Sequence, residues 1–251
     1  MMLHKEREQE ILNILKMTSG YVSVKSLCNS LFASESSIRR DLTSLEKQGL
    51  IKRSYGGATL ITSHSRVGAF SHRAKLNIEA KRAIAKKAAT FIKDGDIIFL
   101  DQSSTCFFLA NELLNRSSLT VVTNNAEIVV LLSDTKINVI SSGGYLHDGN
   151  RVCLLGGDAQ RTFENMYADI AFFSTKNVSF DGIISDFSRE EILVRDCMIR
   201  NAEKKFFLCD SSKYGGRAPY KQCDLKDVDY LISEGDAAKT FATYSPRLTV
   251  L

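Results

Sequence analysis

Apolar positions keep two different rhythms along this chain of 251 residues. Over the first fifty residues they fall at helical spacing. Ile11, Ile14 and Leu15 mark one helix across residues 10–16. After an interruption at Gly20 and Tyr21, Val24, Leu27, Cys28 and Leu31 recur at i, i+3, i+4 and i+7, and Ile38, Leu42 and Leu45 at i, i+4 and i+7. Ser23 and Ser34 stand just before these two runs, where a side-chain oxygen accepts a hydrogen bond from a first-turn N–H. Phe32 and Ala33 leave room for a brief turn between the helices, and Gly49 stops the last one. Residues 50–53 and 58–61 then read as two strands around a turn at 54–57.

From residue 79 the rhythm changes. A helix carrying Ile84, Ala85, Ala88 and Ala89 ends at residues 93–96, and a short apolar run at 97–100 reads as a strand. Further strands are predicted at 119–122, 137–140, 170–173, 205–209 and 228–232, with helices over 105–115, 126–133 and 188–202. Such alternation predicts an α/β fold, a mainly parallel sheet covered by helices. Residues 62–77, rich in Ser, His, Arg and Lys without sustained periodicity, read as a connector. The expected organisation is therefore a small helical module with a hairpin at 3–61, a linker at 62–77 and an α/β domain at 78–251.

Charge sharpens this division. The chain carries +4 overall, but residues 1–90 hold 16 Lys and Arg against 7 Asp and Glu, and the remainder 17 against 22. A basic front end attracts phosphate backbones. Two short capped helices with a tight turn, followed by a hairpin, follow winged helix-turn-helix logic. Ser34, Ser36, Ser37, Arg39, Arg40 and Thr43 then lie at the start or on the polar faces of the recognition helix, and Lys52, Arg53 and Tyr55 on the wing. These nine are the candidate DNA contacts, set against the plainer reading of a structural helix with a solvated charged face. The six cysteines form no C-x-x-C pair and the four histidines show no ligand spacing, so no metal site is expected. No leader and no membrane-length apolar run is read, which predicts a cytoplasmic protein without membrane contact.

Candidate chemistry in the second domain gathers where strands end. Predicted strands run into Asp101, Ser103, Ser104 and Thr105, into Asn124 and Asn125, into Gly143 and Gly144, and into residues 210–213 with Lys213. Open α/β sheets bind ligands at the carboxyl ends of their strands, and hydroxyls with free N–H groups at a helix start cradle phosphate. Ser103, Ser104, Thr105 and Lys213 suit an anion; Asp101, Asn124 and Asn125 suit sugar hydroxyls. Taken singly, each residue also reads as a helix cap or turn former.

The run Ser34-x-x-Ser-Ile-Arg-Arg-Asp-Leu-x-x-Leu-Glu-x-x-Gly-Leu-Ile-x-Arg-x-Tyr-Gly-Gly-Ala58 resembles the signature of the DeoR family of bacterial transcription regulators. The family commonly has Thr at the position of Ser37 and often His at that of Tyr55. The resemblance extends, less specifically, over the strand-end loops and over Glu191-x-x-x-Arg195. It implies a sensor domain similar in fold to ribose-5-phosphate isomerase, with Glu191 among the effector-binding residues. It also implies a repressor of sugar or polyol catabolism, relieved by a phosphorylated sugar and acting as a dimer or tetramer on an operator, with no cofactor. Glu191 and Arg195 also read as a surface ion pair at i, i+4. The family usually has Gly where this chain has Ser103, so a side chain there either crowds a phosphate or adds a hydroxyl contact. The alternative is a sugar-phosphate isomerase with an appended DNA-binding module, its candidate groups Asp181, Glu191, Asp210 and Lys213. The isomerase run Asp-Gly-Ala-Asp is only half present, at Asp181-Gly182. No Walker loop, G-x-G-x-x-G or G-x-S-x-G occurs.

Overall fold

A computed structural model describes residues 4–17, 21–48, 50–54, 56–60, 70–147 and 150–251. The chain divides into two compact units, Met1–Arg66 and Val67–Leu251.

The first unit runs α1 (His4–Met17), β1 (Tyr21–Ser23), α2 (Val24–Leu31), α3 (Glu35–Lys47), β2 (Ile51–Ser54) and β3 (Gly57–Leu60). Both expected caps form: Ser23 accepts from the Ser26 N–H and Ser34 from the Ser37 N–H. Phe32 turns the chain between α2 and α3 in the left-handed region at φ 48°. Ile11, Leu15, Leu27, Ile38, Leu42 and Leu45 close one apolar core with Ile51 of the hairpin. The hairpin gains a strand that alternation over three residues is too short to reveal: β1 pairs antiparallel with β3, in the order β1-β3-β2. Asp41 also lies in this interior, fully buried on α3, where Arg7 of α1 holds both its oxygens and Nη2 donates at 3.1 Å. That paired carboxylate holds the Arg7 guanidinium above its ordinary pKa.

The second unit begins earlier than the connector reading allows. Residues 70–77 already belong to it: α4 (Phe70–Ala74) buries Phe70 edge-on against Phe107, ring centroids 5.3 Å apart. An aromatic anchor, invisible to periodicity in so short a helix, fixes this stretch. There follow α5 (Ile78–Ala89), β4 (Ile97–Leu100), α6 (Ser104–Glu112), β5 (Thr120–Thr123), α7 (Ala126–Leu132) and β6 (Asn138–Ser141). A hairpin of β7 (Tyr145–His147) and β8 (Asn150–Leu155) leads into α8 (Gly157–Glu164), β9 (Ala168–Phe173), β10 (Asn177–Val178), β11 (Ile183–Asp186) and α9 (Arg189–Arg200). The chain ends through β12 (Ala202–Leu208), β13 (Tyr220–Asp224), β14 (Tyr230–Ile232) and β15 (Thr249–Val250).

Among the described residues, seven strands form a parallel sheet in the order β15-β14-β12-β9-β4-β5-β6. Alternate residues of each strand face opposite layers. Ile98 and Leu100 pack with Ile84 of α5, Leu109 of α6 and Ile128 of α7, while Phe99 packs with Phe163 of α8 and Val194 and Met198 of α9. A small antiparallel sheet, β10-β11-β13, adds a further core around Val178, Ile184 and Phe207. The strand order reverses between β4 and β9: β5 and β6 extend to one side, and β12, β14 and β15 to the other. In open α/β sheets such a reversal is where a crevice forms at the carboxyl ends of the strands.

Candidate functional site

In the first unit, Ser36, Arg39 and Arg40 lie exposed on α3, opposite the buried Ile38, Leu42 and Leu45. The Ser34 hydroxyl lies 3.1 Å from that of Ser36 and 2.9 Å from that of Ser37. Arg39 donates to Glu35 Oε1 from Nε (2.8 Å) and Nη2 (2.6 Å), with both side chains more than half exposed. An exposed pair at this spacing contributes only a few tenths of a kcal/mol, about 0.3–0.5, so Arg39 can exchange Glu35 for a base edge at small cost. Arg40 Nε donates to the Ser36 carbonyl at 3.3 Å. Thr43 joins helix to hairpin: its hydroxyl donates to the Arg39 carbonyl (2.8 Å) and accepts from Arg53 Nη1 (2.7 Å). Arg53 is further held through its N–H on Glu46 Oε1 (2.9 Å). Lys52 belongs to β2, but its side chain and all of Tyr55 lie outside the described residues.

In the second unit, the crevice is built on Asp101, fully buried at the end of β4. Its Oδ1 accepts from the Ser103 N–H (3.0 Å), and its Oδ2 from the Ser174 N–H (3.1 Å) and Arg195 Nε (3.0 Å). Both oxygens are therefore engaged within the protein, and Asp101 ties β4, β9 and α9 together instead of presenting a free acceptor. Arg195, 1 % exposed, also donates to Gln222 Oε1 (2.8 Å) and Asp186 Oδ2 (3.3 Å), with Glu191 Oε2 at 3.9 Å. The surface-pair reading of Glu191 and Arg195 is thus corrected: burial on α9 makes them part of the interior. Burial opposes the Arg195 charge, but Asp101, Asp186 and Glu191 outweigh it and raise its pKa. Burial, with Asp186 beside it, pushes the Glu191 carboxyl above its usual range.

A polar chain leads on from Glu191. Gln102 Nε2 donates to Glu191 Oε2 (2.7 Å), and Asn124 Nδ2 donates to Gln102 Oε1 (3.3 Å) and the Leu154 carbonyl (3.2 Å). Asn125 caps α7, its Oδ1 accepting from the Glu127 N–H at 2.9 Å. Six atoms along this region are buried without a hydrogen-bond partner among the described residues: Thr105 Oγ1, Asn124 Oδ1, Asn125 Nδ2, Glu191 Oε1, and Nδ2 and Oδ1 of Asn150 on β8. Buried polar atoms are rarely left so.

The other end of the crevice is cationic. Asp210, after β12, accepts from Asn77 Nδ2 (2.9 Å) and from Ser212, and lies 3.5 Å from Lys213 Nζ. Burial opposes the Asp210 charge, but Lys213, Ser212 and Asn77 outweigh it and lower its pKa. Lys213 Nζ donates to Ser174 Oγ at 2.6 Å. Lys81, almost fully buried on α5, donates to the carbonyls of Arg73 and Leu76 (2.6 Å to the latter). Burial, reinforced by the charges of Lys213, Arg73 and Lys176 against Asp210, brings its pKa down to about 8. Lys213 and Lys81 act on the one carboxylate Asp210, and the charges of Arg73 and Lys176 reach Lys81, a local excess of positive charge that favours an anion.

Ser103 caps α6 in ordinary extended geometry, φ −71°, with its hydroxyl accepting from the Cys106 N–H at 3.1 Å. Its side chain occupies one donor of the helix start. Ser104 and Thr105 are buried in the first turn. Gly143 and Gly144 both take positive φ. A Cβ on Gly144 would lie 2.1 Å from the Leu155 carbonyl oxygen, so its role is close packing on β8, whereas Gly143 faces open space. Gln102, Lys81, Arg73 and Asn150 escaped the sequence reading. Of the carboxylates offered for isomerase chemistry, Asp181 is held by Ser179 and Arg217, and no hydrogen bond or ion pair among the described residues joins it to Glu191 or Asp210. Among the described residues no helix is long and apolar enough to cross a membrane.

Two family models match the chain: a DeoR-like helix-turn-helix domain over residues 7–64 and a DeoR C terminal sensor domain over residues 76–235. The uncharacterized HTH-type transcriptional regulator YulB of Bacillus subtilis is 36% identical over 93% of this chain and 90% of that protein. The glycerol-3-phosphate regulon repressor of Escherichia coli is 30% identical over 93% of this chain and 92% of its own length. Ribose 5-phosphate isomerase A from Methanocaldococcus jannaschii superposes with a TM-score of 0.42 over 55% of each chain, at 21% identity.

Proposed function

Because the chain belongs to the DeoR family of helix-turn-helix transcriptional regulators, we propose that it represses a sugar or polyol catabolic operon and is released by a phosphorylated sugar or polyol. The observation that carries the ligand class is the crevice at the β4–β9 reversal. Lys213 and Lys81, with the charges of Arg73 and Lys176 behind them, support an anion at one end, and unpaired buried amides support a polar group at the other. A phosphate suits the first and hydroxyls suit the second. The glycerol-3-phosphate regulon repressor among its relatives supports this class.

In this reading Ser34, Ser36, Ser37, Arg39, Arg40, Thr43 and the wing residues Lys52, Arg53 and Tyr55 meet operator DNA in the cytoplasm. A homo-oligomer presents paired recognition helices to repeated half-sites. Asp101 and Gly144 hold the crevice in shape, while Ser103, Ser104, Thr105, Asn124, Asn125, Gly143, Glu191 and Lys213 border the ligand. The effector binds more tightly to a state that fits the operator poorly, as any release of this kind requires. In this reading the sensor does no chemistry: Asp181 pairs with Arg217 at the surface, and Asp210 is held by Asn77 and Ser212 beside Lys213.

The test is a gel shift of the full-length protein on its own upstream DNA, titrated with glucose 6-phosphate, ribose 5-phosphate and glycerol 3-phosphate. One compound is expected to release the complex. Lys213→Ala should bind DNA as before and need at least about tenfold more effector, a loss of about 1.4 kcal/mol. Binding that no phosphorylated compound moves would overturn the ligand assignment and leave the DNA assignment standing.

A further inference from the structure

Asn150 opens β8 and is 1 % exposed, yet neither its Oδ1 nor its Nδ2 has a hydrogen-bond partner. A buried amide left in this condition is destabilising, because it has given up water and gained nothing in return. Among the described residues nothing meets it, which leaves both ends of the amide open to a bound molecule.

The strand that carries it is fastened to the crevice. The Leu154 N–H donates to the Asn124 carbonyl at 2.8 Å, Asn124 Nδ2 returns a bond to the Leu154 carbonyl, and Cys153 bridges to Asn125. β8 packs against α4, α7 and α9, the elements that supply Arg73, the Asn125 cap and Glu191. The charges of Glu191, Arg195, Arg73 and Asp101 all reach Cys153. The latter half of β8 therefore borders the same loops, remote in sequence from the strand ends they follow.

We propose that Asn150 is a specificity-determining residue of the effector site, the third amide of a hydroxyl-reading end made with Asn124 and Asn125. This rests on the ligand reading given above. The three leave two acceptor oxygens, Asn124 Oδ1 and Asn150 Oδ1, and two donor amides, Asn125 Nδ2 and Asn150 Nδ2, unpaired. Phosphate or carboxylate groups only accept and would leave the oxygens unmet. A hydroxyl both donates and accepts, so vicinal hydroxyls of a sugar or polyol satisfy this set.

The experiment is calorimetric titration of full-length wild type and Asn150→Leu with inorganic phosphate and with the three phosphorylated compounds named above. The variant should bind inorganic phosphate as wild type does. Its preference for the best phosphorylated compound over inorganic phosphate should fall at least tenfold. Asn150→Asp keeps the size and removes the donors, and is read by the same ratio if the Leu variant fails to fold. An unchanged ratio overturns the assignment. Wild type that binds phosphate but prefers no phosphorylated sugar or polyol also overturns it while sparing the anion site. Wild type that binds none of the probes overturns both readings.

Discussion

Arg39 and Arg195 look alike in the sequence, each four residues after a glutamate on a helix. In the first unit the pair Glu35–Arg39 is open to solvent, and among the described residues its guanidinium has no other side-chain partner. In the second, Glu191 and Arg195 lie in the interior, and the arginine is claimed first by Asp101, 94 residues away. One unit keeps its working groups outside an apolar core; the other builds its site from polar groups inside. Spacing alone cannot separate these cases, because the deciding partner comes from another strand end.

The largest expected effect breaks the second pattern. Arg195→Met leaves Asp101, Asp186 and Glu191 without their cation and should cost about 3–5 kcal/mol, read as a lowered midpoint in denaturant unfolding. If that variant unfolds like wild type, the buried network is not what holds the crevice. Arg39→Ala tests the first pattern: stability should change by less than about 0.5 kcal/mol, while specific operator binding weakens by about 1–3 kcal/mol. Equal operator affinity in a gel shift would move the recognition face elsewhere.

Lys81 adds a pH arm to the comparison. Its pKa is depressed to about 8, so it is charged below that pH and neutral above it. Anion binding favours the charged form, and effector affinity should therefore fall above pH 8, by at most about tenfold per pH unit for one linked proton. Titration in buffers of different ionisation heat should register proton uptake there. Without ligand the sign is opposite: the unfolded chain holds the proton up to its ordinary pKa of 10.5, so the second unit should gain stability between about pH 8 and that value. The smallest effect is Phe32→Gly. Phe32 is 97 % exposed in a left-handed turn, and glycine there should stabilise the first unit by about 0.5–1 kcal/mol, read as a higher unfolding midpoint.

The helix-turn-helix was legible because its signals are local: two serine caps, a three-residue turn and an apolar stripe within fifty residues. The sheet was legible from apolar runs, but the β7–β8 hairpin and the β10-β11-β13 sheet were not. Their strands are short, and register shifts at Leu146/His147 and Ile184/Ser185 disturb alternation. Among the candidate residues, those in polar runs after predicted strands were found, while Lys81 and Arg73 on helices, Gln102 and Asn150 were missed. A signal existed. Asp41 sits with Ile38, Leu42 and Leu45 on one stripe, Lys81 with Ile84, Ala85 and Ala88, and Arg195 with Glu191, Val194 and Met198, each at i, i+3, i+4 and i+7. A charge on an apolar stripe either spoils the helix or has a partner in the interior, and all three have one.

Gly143 and Gly144 would part company in a saturating mutant library. Every replacement of Gly144 brings a Cβ against the Leu155 carbonyl oxygen and prises β8 from the chain entering β7; only glycine should survive selection for regulated repression. At Gly143 nothing stands in the way, and the backbone is one that asparagine tolerates. Two adjacent identical letters thus carry unequal information, one fixing how closely β7 and β8 approach and the other leaving its turn free to vary.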